Sequence, residues 1–582
     1  MNTAFPKEQK ERDVSPIDRF LHASEARVTS GLSPASTMLA YLDWAVHLAN
    51  SPGKQSDLVQ EAFLKSARFG AYLSRAAGDR DCAPCIEPEP QDHRFSGPEW
   101  QKMPYSAWYQ SFLLVQDWWD NATRGVEGVT RHAEYATSFS ARQLLDVFSP
   151  SNFLMTNPEV MKITRETGGK NLLHGMHNAM EDWQRFVRQE PPKGAENFRV
   201  GKEVAITPGK VIYRNNLIEL IQYSPTTETV QADPILIVPA WIMKYYILDL
   251  SPDNSMVKFL VDQGHTVFMI SWKNPTEEDR DLGMDDYVES GVVDALKAVR
   301  TIVPDQKVHT VGYCIGGTLL SIAAAALGRD GRDWIKTITL FAAQTDFTDA
   351  GELMLFIDQS QVSYLEDMMW KKGYLDAKQM AGTFQLLHSN DLIWSRMVNN
   401  YLKGERRPMI DLMAWNADAT RMPYRMHAQY LRRLFLDNDF AGGRYDVGGK
   451  PVTISDIHAP IFMVGAERDH VAPWKSVYKL NFMADTDVTF LLTNGGHNAG
   501  IISEPGHPHR HYRIHTKRER DPYLAPDDWV DANPPHEGSW WPVWQSWLSD
   551  HSGNKVAPPS MGKPKGKYKP IADAPGTYVL QK

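Results

Sequence analysis

The chain has 582 residues, 42% of them hydrophobic and 23% charged, with a formal net charge of -9 and three cysteines. That length predicts two domains or one domain with large additions. The negative balance argues against a general nucleic-acid binder, and so few cysteines exclude a disulfide framework and point to a reducing compartment.

The N-terminal residues Met1–Arg19 are charged and lack the apolar core of a secretory signal. No run of about 18 apolar residues is present to span a bilayer, so a cytoplasmic location is expected. The segment up to about Arg27 is polar and reads as mobile. Ser36-Thr37 then precedes Met38–Leu48, a helical segment stopped by Ser51-Pro52-Gly53, and a second helix is expected over Leu58–Ala77. The apolar residues of both helices are expected to contact a neighbouring surface. Cys82-Ala83-Pro84-Cys85 has no further cysteines to complete a zinc site and is followed by a Pro-rich stretch, so a surface loop is expected and no metal.

Residues 96–197 are helical and aromatic-rich, with Thr156-Asn157-Pro158-Glu159 as a helix start carrying proline in its first turn. The period changes near Phe198. Short β-rich runs end in Pro234–Trp241, a near-continuous apolar stretch of the kind found in buried parallel strands. Helix (256–263), strand (265–272), helix (284–303) and strand (307–311) follow, then a further strand at Lys336–Phe341, which implies a doubly wound parallel sheet. Between the last two strands lies Gly312-Tyr313-Cys314-Ile315-Gly316-Gly317, a G-x-C-x-G-G pattern. It matches the nucleophile elbow of the α/β-hydrolase fold, with cysteine where serine is usual.

From about 346 to 448 the strand pattern stops, and a helical segment rich in Met, Trp and Tyr is expected to form a lid or cap. Strands return at Pro460–Gly465, followed by Asp469, and at Val488–Leu492, followed by Gly495-Gly496-His497. Nucleophile, acid and base thus occur in the chain order of this fold, and Cys314, Asp469 and His497 are the candidate catalytic triad. The backbone N–H of Ile315 is the expected first oxyanion donor. A second is placed near Trp241, in the loop after the Ile235–Val238 strand. The run His507–His515 carries histidines at alternate positions and is expected as a solvated loop. Arg510 and Arg513 are candidates for contact with the phosphates of a nucleotide-bearing substrate. Lys563, Lys565, Lys567 and Lys569 are expected to lie in a solvated C-terminal tail.

Several stretches together resemble the polyhydroxyalkanoate synthases, in particular the class I enzymes. They are Ser149–Leu154 with Thr156–Glu159, Lys244–Leu250, Gly264–Phe268, Ser271–Pro275, Gly312–Thr318, Asn399–Gly404, Asp469–Trp474 and Gly538–Pro542. The resemblance runs from about residue 95 to 570. It implies an α/β-hydrolase catalytic domain over 198–570 with a helical cap, a helical N-terminal domain over 96–197, a variable extension over 1–95 and a tail over 571–582. It also implies an acyltransferase that polymerises (R)-3-hydroxyacyl-CoA, chiefly 3-hydroxybutyryl-CoA, with release of CoA through an acyl-cysteine. No cofactor is implied. The expected partners are the CoA thioester, the nascent polyester and its granule surface, and a second copy of the chain as a homodimer. The sequence departs from familiar members at Ala240-Trp241-Ile242-Met243, where Pro-Cys-Ile-Asn is common. A cysteine-dependent thioesterase on the same fold and a non-catalytic granule protein are the competing readings.

Overall fold

The structure, a computed structural model, describes residues 15–582 apart from 27, 28, 30, 79–81, 378, 380, 381 and 383–392. The start of the charged N-terminal segment (1–14) and part of the expected cap therefore lie outside the described residues. The chain divides into two compact units, one of Ala26–Lys193 with Met380–Pro408 and the other of Gly194–Gln379 and Met409–Lys582 together with the N-terminal residues to Glu25.

The first unit is helical. Its helices Pro34–Ala49, Pro52–Ala76, Tyr105–Thr123, Arg131–Val147, Pro158–Glu166 and Lys170–Arg188 start where the local chemistry dictates. Ser33 caps the first and Thr130 the fourth, and the Asn157 side chain accepts from the Glu159 and Val160 N–H groups at the N-terminus of the fifth. Phe95, Trp100, Tyr109 and Leu113 form one buried cluster, and Tyr72, Cys85 and Leu114 form another. Cys85 is therefore part of the core, not of a surface loop; its N–H donates to the Gln110 carboxamide oxygen at 2.7 Å. No boundary falls near residue 95, because helices on both sides of it share this packing. The expectation for Met38–Leu48 is also corrected. Ala40 and Trp44 of that helix are buried, but Met38, Leu39, Tyr41, Leu42 and Val46 are exposed.

The second unit is built on an 11-stranded sheet. In chain order its strands are β1 (Gly209–Arg214), β2 (Ile218–Tyr223), β3 (Ile235–Val238), β4 (Val267–Trp272), β5 (Val308–Tyr313), β6 (Ile335–Phe341), β7 (Ile461–Ala466), β8 (Val488–Thr493), β9 (His511–Lys517), β10 (His536–Glu537) and β11 (Ala572–Asp573). Across the sheet the order is β10-β9-β8-β7-β6-β5-β3-β4-β2-β1-β11. The run from β8 to β4 is parallel and the outer strands pair antiparallel. Strands β3, β4, β5, β7 and β8 are buried along their whole length, as the unbroken apolar runs require of a sheet covered on both faces. Chain order reverses at β3–β5, so the carboxyl ends of these strands are where such a sheet places its site.

Three expectations are corrected by this unit. Residues 16–25 form a helix held to the Gln359–Lys372 helix, where the Asp367 carboxylate meets His22 Nδ1 at 2.7 Å and Arg19 at 3.7 Å. The last twelve residues are not a free tail, because Ala572 and Asp573 pair with Val211 and Lys210 to close the β1 edge. Beyond them, Glu219 is wholly buried and its carboxylate accepts from the Thr577 and Tyr578 N–H groups at 2.8 and 2.9 Å. The alternating histidine run, finally, is largely strand. Phe490 faces His515 and Thr493 faces Tyr512 across the β8–β9 ladder.

Candidate active site

The elbow is set by close backbone approach. A Cβ on Gly312 would stand 2.4 Å from the Gly317 Cα, and one on Gly316 would stand 2.4 Å from the Val238 carbonyl oxygen. Only glycines let β5 turn directly into the Ile315–Arg329 helix beneath the end of β3. Cys314, between them, has φ 54° and ψ -129°, a strained conformation for an L-residue that lifts its side chain above the sheet. It precedes the first helical residue, whose N–H has no carbonyl to meet within the helix. The Gly317 and Thr318 N–H groups donate back to the Cys314 carbonyl at 2.9 and 3.3 Å and so fix the turn.

Asp469 lies in the loop after β7 and His497 in the loop after β8. His497 Nδ1 donates to Asp469 Oδ2 at 2.7 Å. Asp469 Oδ1 accepts from the Val471 and Ala472 N–H groups at 2.9 and 2.8 Å, so the carboxylate is held from both sides and is fully buried. The Cys314 side chain lies near enough to the imidazole to act on its charge. Burial disfavours the imidazolium, but the Asp469 carboxylate and the charge of Cys314 outweigh it and hold His497 well above its ordinary 6.5. Cys314, His497 and Asp469 thus lie together, with a hydrogen bond joining the last two.

Positioning residues missed in the sequence surround the array. Tyr313, the residue before the cysteine, donates its hydroxyl to Asn498 Oδ1 at 2.6 Å, and its ring lies 5.7 Å from the His497 ring. Trp540 and Trp541 are buried, and their indole N–H groups donate to the Gly500 and Ile501 carbonyls at 3.0 Å each. They brace the far end of the histidine loop. The signal was available in the Gly538-Ser539-Trp540-Trp541 stretch, because a buried indole needs a hydrogen-bond partner.

A cavity of about 20 Å³ opens beside Cys314. Its walls include Ala342, Phe347, Leu353, Tyr430, Phe435 and Val471. Phe347, Leu353, Tyr430 and Phe435 come from the insertion expected as a cap, but Met380–Pro408 of that insertion belongs to the helical unit. Trp241 is buried and packs its ring on Tyr287 and Trp272 with centroids 4.9 and 5.8 Å away, while its carbonyl accepts from the Thr420 hydroxyl. Its backbone N–H and its indole N–H, which is buried without a hydrogen-bond partner, are the groups it could offer to an oxyanion. The loop it belongs to does approach the elbow, as the Pro239 carbonyl would lie 2.5 Å from a Cβ on Gly316. Arg510 and Arg513, the candidates for phosphate contact, each have one terminal guanidinium nitrogen engaged by backbone carbonyls. The first donates to the Ala499 and Ile502 carbonyls at 2.6 and 3.0 Å, and the second to those of Val530 and Asn533 at 3.2 and 2.5 Å.

Comparison with known proteins shows the family and the fold. Residues 91–260 match the family model described as "Poly-beta-hydroxybutyrate polymerase (PhaC) N-terminus", residues 12–54 match "Poly-beta-hydroxybutyrate polymerase N terminal", and residues 233–502 match the "alpha/beta hydrolase fold". The chain is 41% identical over 523 residues to a "Poly(3-hydroxyalkanoate) polymerase" of Methylorubrum extorquens, covering 89% of this chain and 85% of that protein. It is 36% identical over 557 residues to a "Poly(3-hydroxyalkanoate) polymerase subunit PhaC" of Cupriavidus necator, covering 94% and 92%. With a strained cysteine elbow, an imidazole–carboxylate pair facing it and relatives aligned over nearly their whole length, the chain belongs to the poly(3-hydroxyalkanoate) polymerase family.

Proposed function

We propose that the protein polymerises (R)-3-hydroxyacyl-CoA, chiefly 3-hydroxybutyryl-CoA, into polyhydroxyalkanoate with release of CoA, through a thioester on Cys314. The observation that carries the reading is the array Cys314–His497–Asp469 at an elbow where the nucleophile meets a helix N-terminus. His497 takes the thiol proton and the Cys314 sulfur attacks the thioester carbonyl. The Ile315 N–H donates to the resulting oxyanion, with the Trp241 N–H as second donor. Collapse of the intermediate expels the CoA thiolate, which takes the proton back from His497 and leaves the acyl group on Cys314. A thiol nucleophile suits a polymerase because thioester exchange keeps the acyl group activated for the next step.

Chain growth requires the 3-hydroxyl of the next monomer to lose its proton as it attacks the acyl-cysteine. Both Asp469 oxygens are already engaged and its side chain is wholly buried, whereas His497 is partly exposed and lies near Cys314. This supports His497 as the base in both half-reactions, with Asp469 orienting it and stabilising its charged form. Granule association is part of the same proposal. It is supported by the exposed apolar residues of the helical unit, among them Leu173, Met176, Met180, Trp183 and Val187 on one helix. No described helix is long and apolar enough to cross a membrane.

The test supplies 3-hydroxybutyryl-CoA to the purified protein and follows free CoA and insoluble polyester together. Both products, and neither from Cys314→Ala, are expected. CoA without polymer would make the protein a thioesterase, and polymer from Cys314→Ala would sink the proposal.

A further inference from the structure

Gln344 follows β6 by three residues and is buried. Its backbone is fixed to the nucleophile's helix, where the Thr318 hydroxyl donates to the Gln344 carbonyl at 2.8 Å. Its side chain lines the cavity beside Cys314, and the carboxamide nitrogen is buried without a hydrogen-bond partner. A buried N–H left unpaired is costly, so a protein that keeps one in a cavity beside its nucleophile has a ligand oxygen to pair it with. Aromatic and aliphatic side chains from Phe347, Leu353, Phe435 and Val471 supply most of the remaining wall. A pocket of about 20 Å³ accommodates little more than one water-sized group, such as a single oxygen beside the sulfur.

Resting on the function proposed above, we infer that the Gln344 carboxamide donates a hydrogen bond to the oxygen on C3 of the acyl group carried by Cys314. That oxygen is the hydroxyl of a freshly loaded monomer and the ester oxygen of a growing chain. The C1 oxygen has its own expected donor in the Ile315 N–H, and the Thr318 hydroxyl, which also lines the cavity, is spent on the Gln344 carbonyl. Gln344 is therefore a specificity-determining residue. It makes the enzyme select 3-oxygenated acyl groups over unsubstituted ones of the same length, because an acyl group lacking that oxygen leaves the buried N–H unpaired.

The test compares the first-turnover burst of CoA release from 3-hydroxybutyryl-CoA and from butyryl-CoA in wild type, Gln344→Leu and Gln344→Met. The wild type is expected to favour the hydroxyacyl thioester by about tenfold or more. Both variants should lose most of that preference through a slower reaction with the hydroxyacyl substrate, at an unchanged rate with butyryl-CoA. Thermal unfolding and alkylation of Cys314 by iodoacetamide report whether the fold and the nucleophile survive, and the methionine variant keeps the side-chain length should leucine disturb packing. Equal slowing on both substrates, or an unchanged preference, overturns the assignment, as does a preference that is lost in Tyr430→Phe instead. Absence of CoA release from either thioester by the wild type would overturn the proposed function itself, an outcome distinct from failure of the Gln344 assignment.

Discussion

His497 Nδ1 and Asp469 Oδ2 stand 2.7 Å apart, while the other carboxylate oxygen accepts two backbone N–H groups from Val471 and Ala472. The two oxygens have different duties, and Asp469→Asn separates them. Asparagine keeps an acceptor for the backbone groups and turns a donor toward the imidazole, so the loop stays folded while the ring loses its orienting partner. CoA release from 3-hydroxybutyryl-CoA should fall by about 10³–10⁴-fold with little change in melting temperature. A fall of less than tenfold would mean that the carboxylate serves the loop alone.

The same pair makes stability depend on pH. His497 is held above 6.5 in the folded protein against the opposing effect of burial, so the folded state binds this proton more tightly than the unfolded chain does. The stabilisation is fully present below pH 6.5 and is lost as pH rises through the folded-state value. For one proton the slope cannot exceed about 1.4 kcal/mol per pH unit. Urea unfolding from pH 6 upward should show the wild type losing stability relative to His497→Gln. Parallel curves for the two proteins would show that the imidazolium contributes nothing.

The grouping of Cys314, Asp469 and His497 was legible in the sequence because its constraints are local. Gly312, Gly316 and Gly317 are needed within a few residues of Cys314, and the acid and base must follow the next strands in order. Gln344 and Tyr313 were invisible for the opposite reason. Neither belongs to a spacing pattern, and each matters only because of where the end of a strand leaves its side chain. Charge counts also say nothing about backbone carbonyls, which in the folded protein engage one guanidinium nitrogen each of Arg510 and Arg513. The C-terminal residues misled by composition. A two-residue strand has no periodicity to detect, and the lysines before it suggest solvent although the chain there is tied down.

That tie is testable. The buried Glu219 carboxylate is satisfied by the Thr577 and Tyr578 N–H groups, by the Thr577 hydroxyl at 2.8 Å and by Arg214. Deleting residues 571–582 removes three of those hydrogen bonds along with the edge strand β11, and also takes Gln581 from Lys244, whose ammonium donates to its carbonyl at 2.6 Å. Breaking a buried charged cluster by removing one side of it costs about 3–5 kcal/mol. The truncated protein should unfold at much lower urea concentration or fail to accumulate in soluble form, and Glu219→Ala should lose a comparable amount. Unchanged midpoints would return these residues to the status of a tail.

The elbow glycines can be tested without touching any chemical group. Gly316→Ala places a methyl 2.4 Å from the Val238 carbonyl and 2.5 Å from that of Pro239, both held in the sheet and its following loop. Backbone cannot yield as a flexible side chain does, so the helix must move away from β3, at a cost of about 1–3 kcal/mol or more. Activity should fall further than stability, because the same movement displaces Cys314 and the Ile315 N–H from His497. Gly53→Ala, a helical position with nothing within 4 Å of the added carbon, is the control and should leave both quantities unchanged.

The helix Lys170–Arg188 carries the last prediction. Leu173, Met176, Met180, Trp183 and Val187 recur at intervals of three or four residues and stand 56–66% exposed, which is the spacing of a continuous apolar stripe. Its opposite side is tied to the segment Val398–Leu402, where Asn178 donates to the Asn400 carbonyl at 3.0 Å and Asn171 to the Leu402 carbonyl at 2.8 Å. The helix is therefore anchored with its apolar side outward, and an aliphatic polyester surface is a chemically matched occupant. Met180→Glu combined with Trp183→Glu should leave the initial rate of CoA release in dilute solution within about twofold, since neither residue belongs to the Cys314 site. The fraction of protein sedimenting with preformed polyhydroxybutyrate granules should drop several-fold, because each buried side chain of this size contributes about 1.5–3 kcal/mol to such an interface. Undiminished sedimentation would assign the stripe to another partner, and a parallel loss of CoA release would show that it supports the fold.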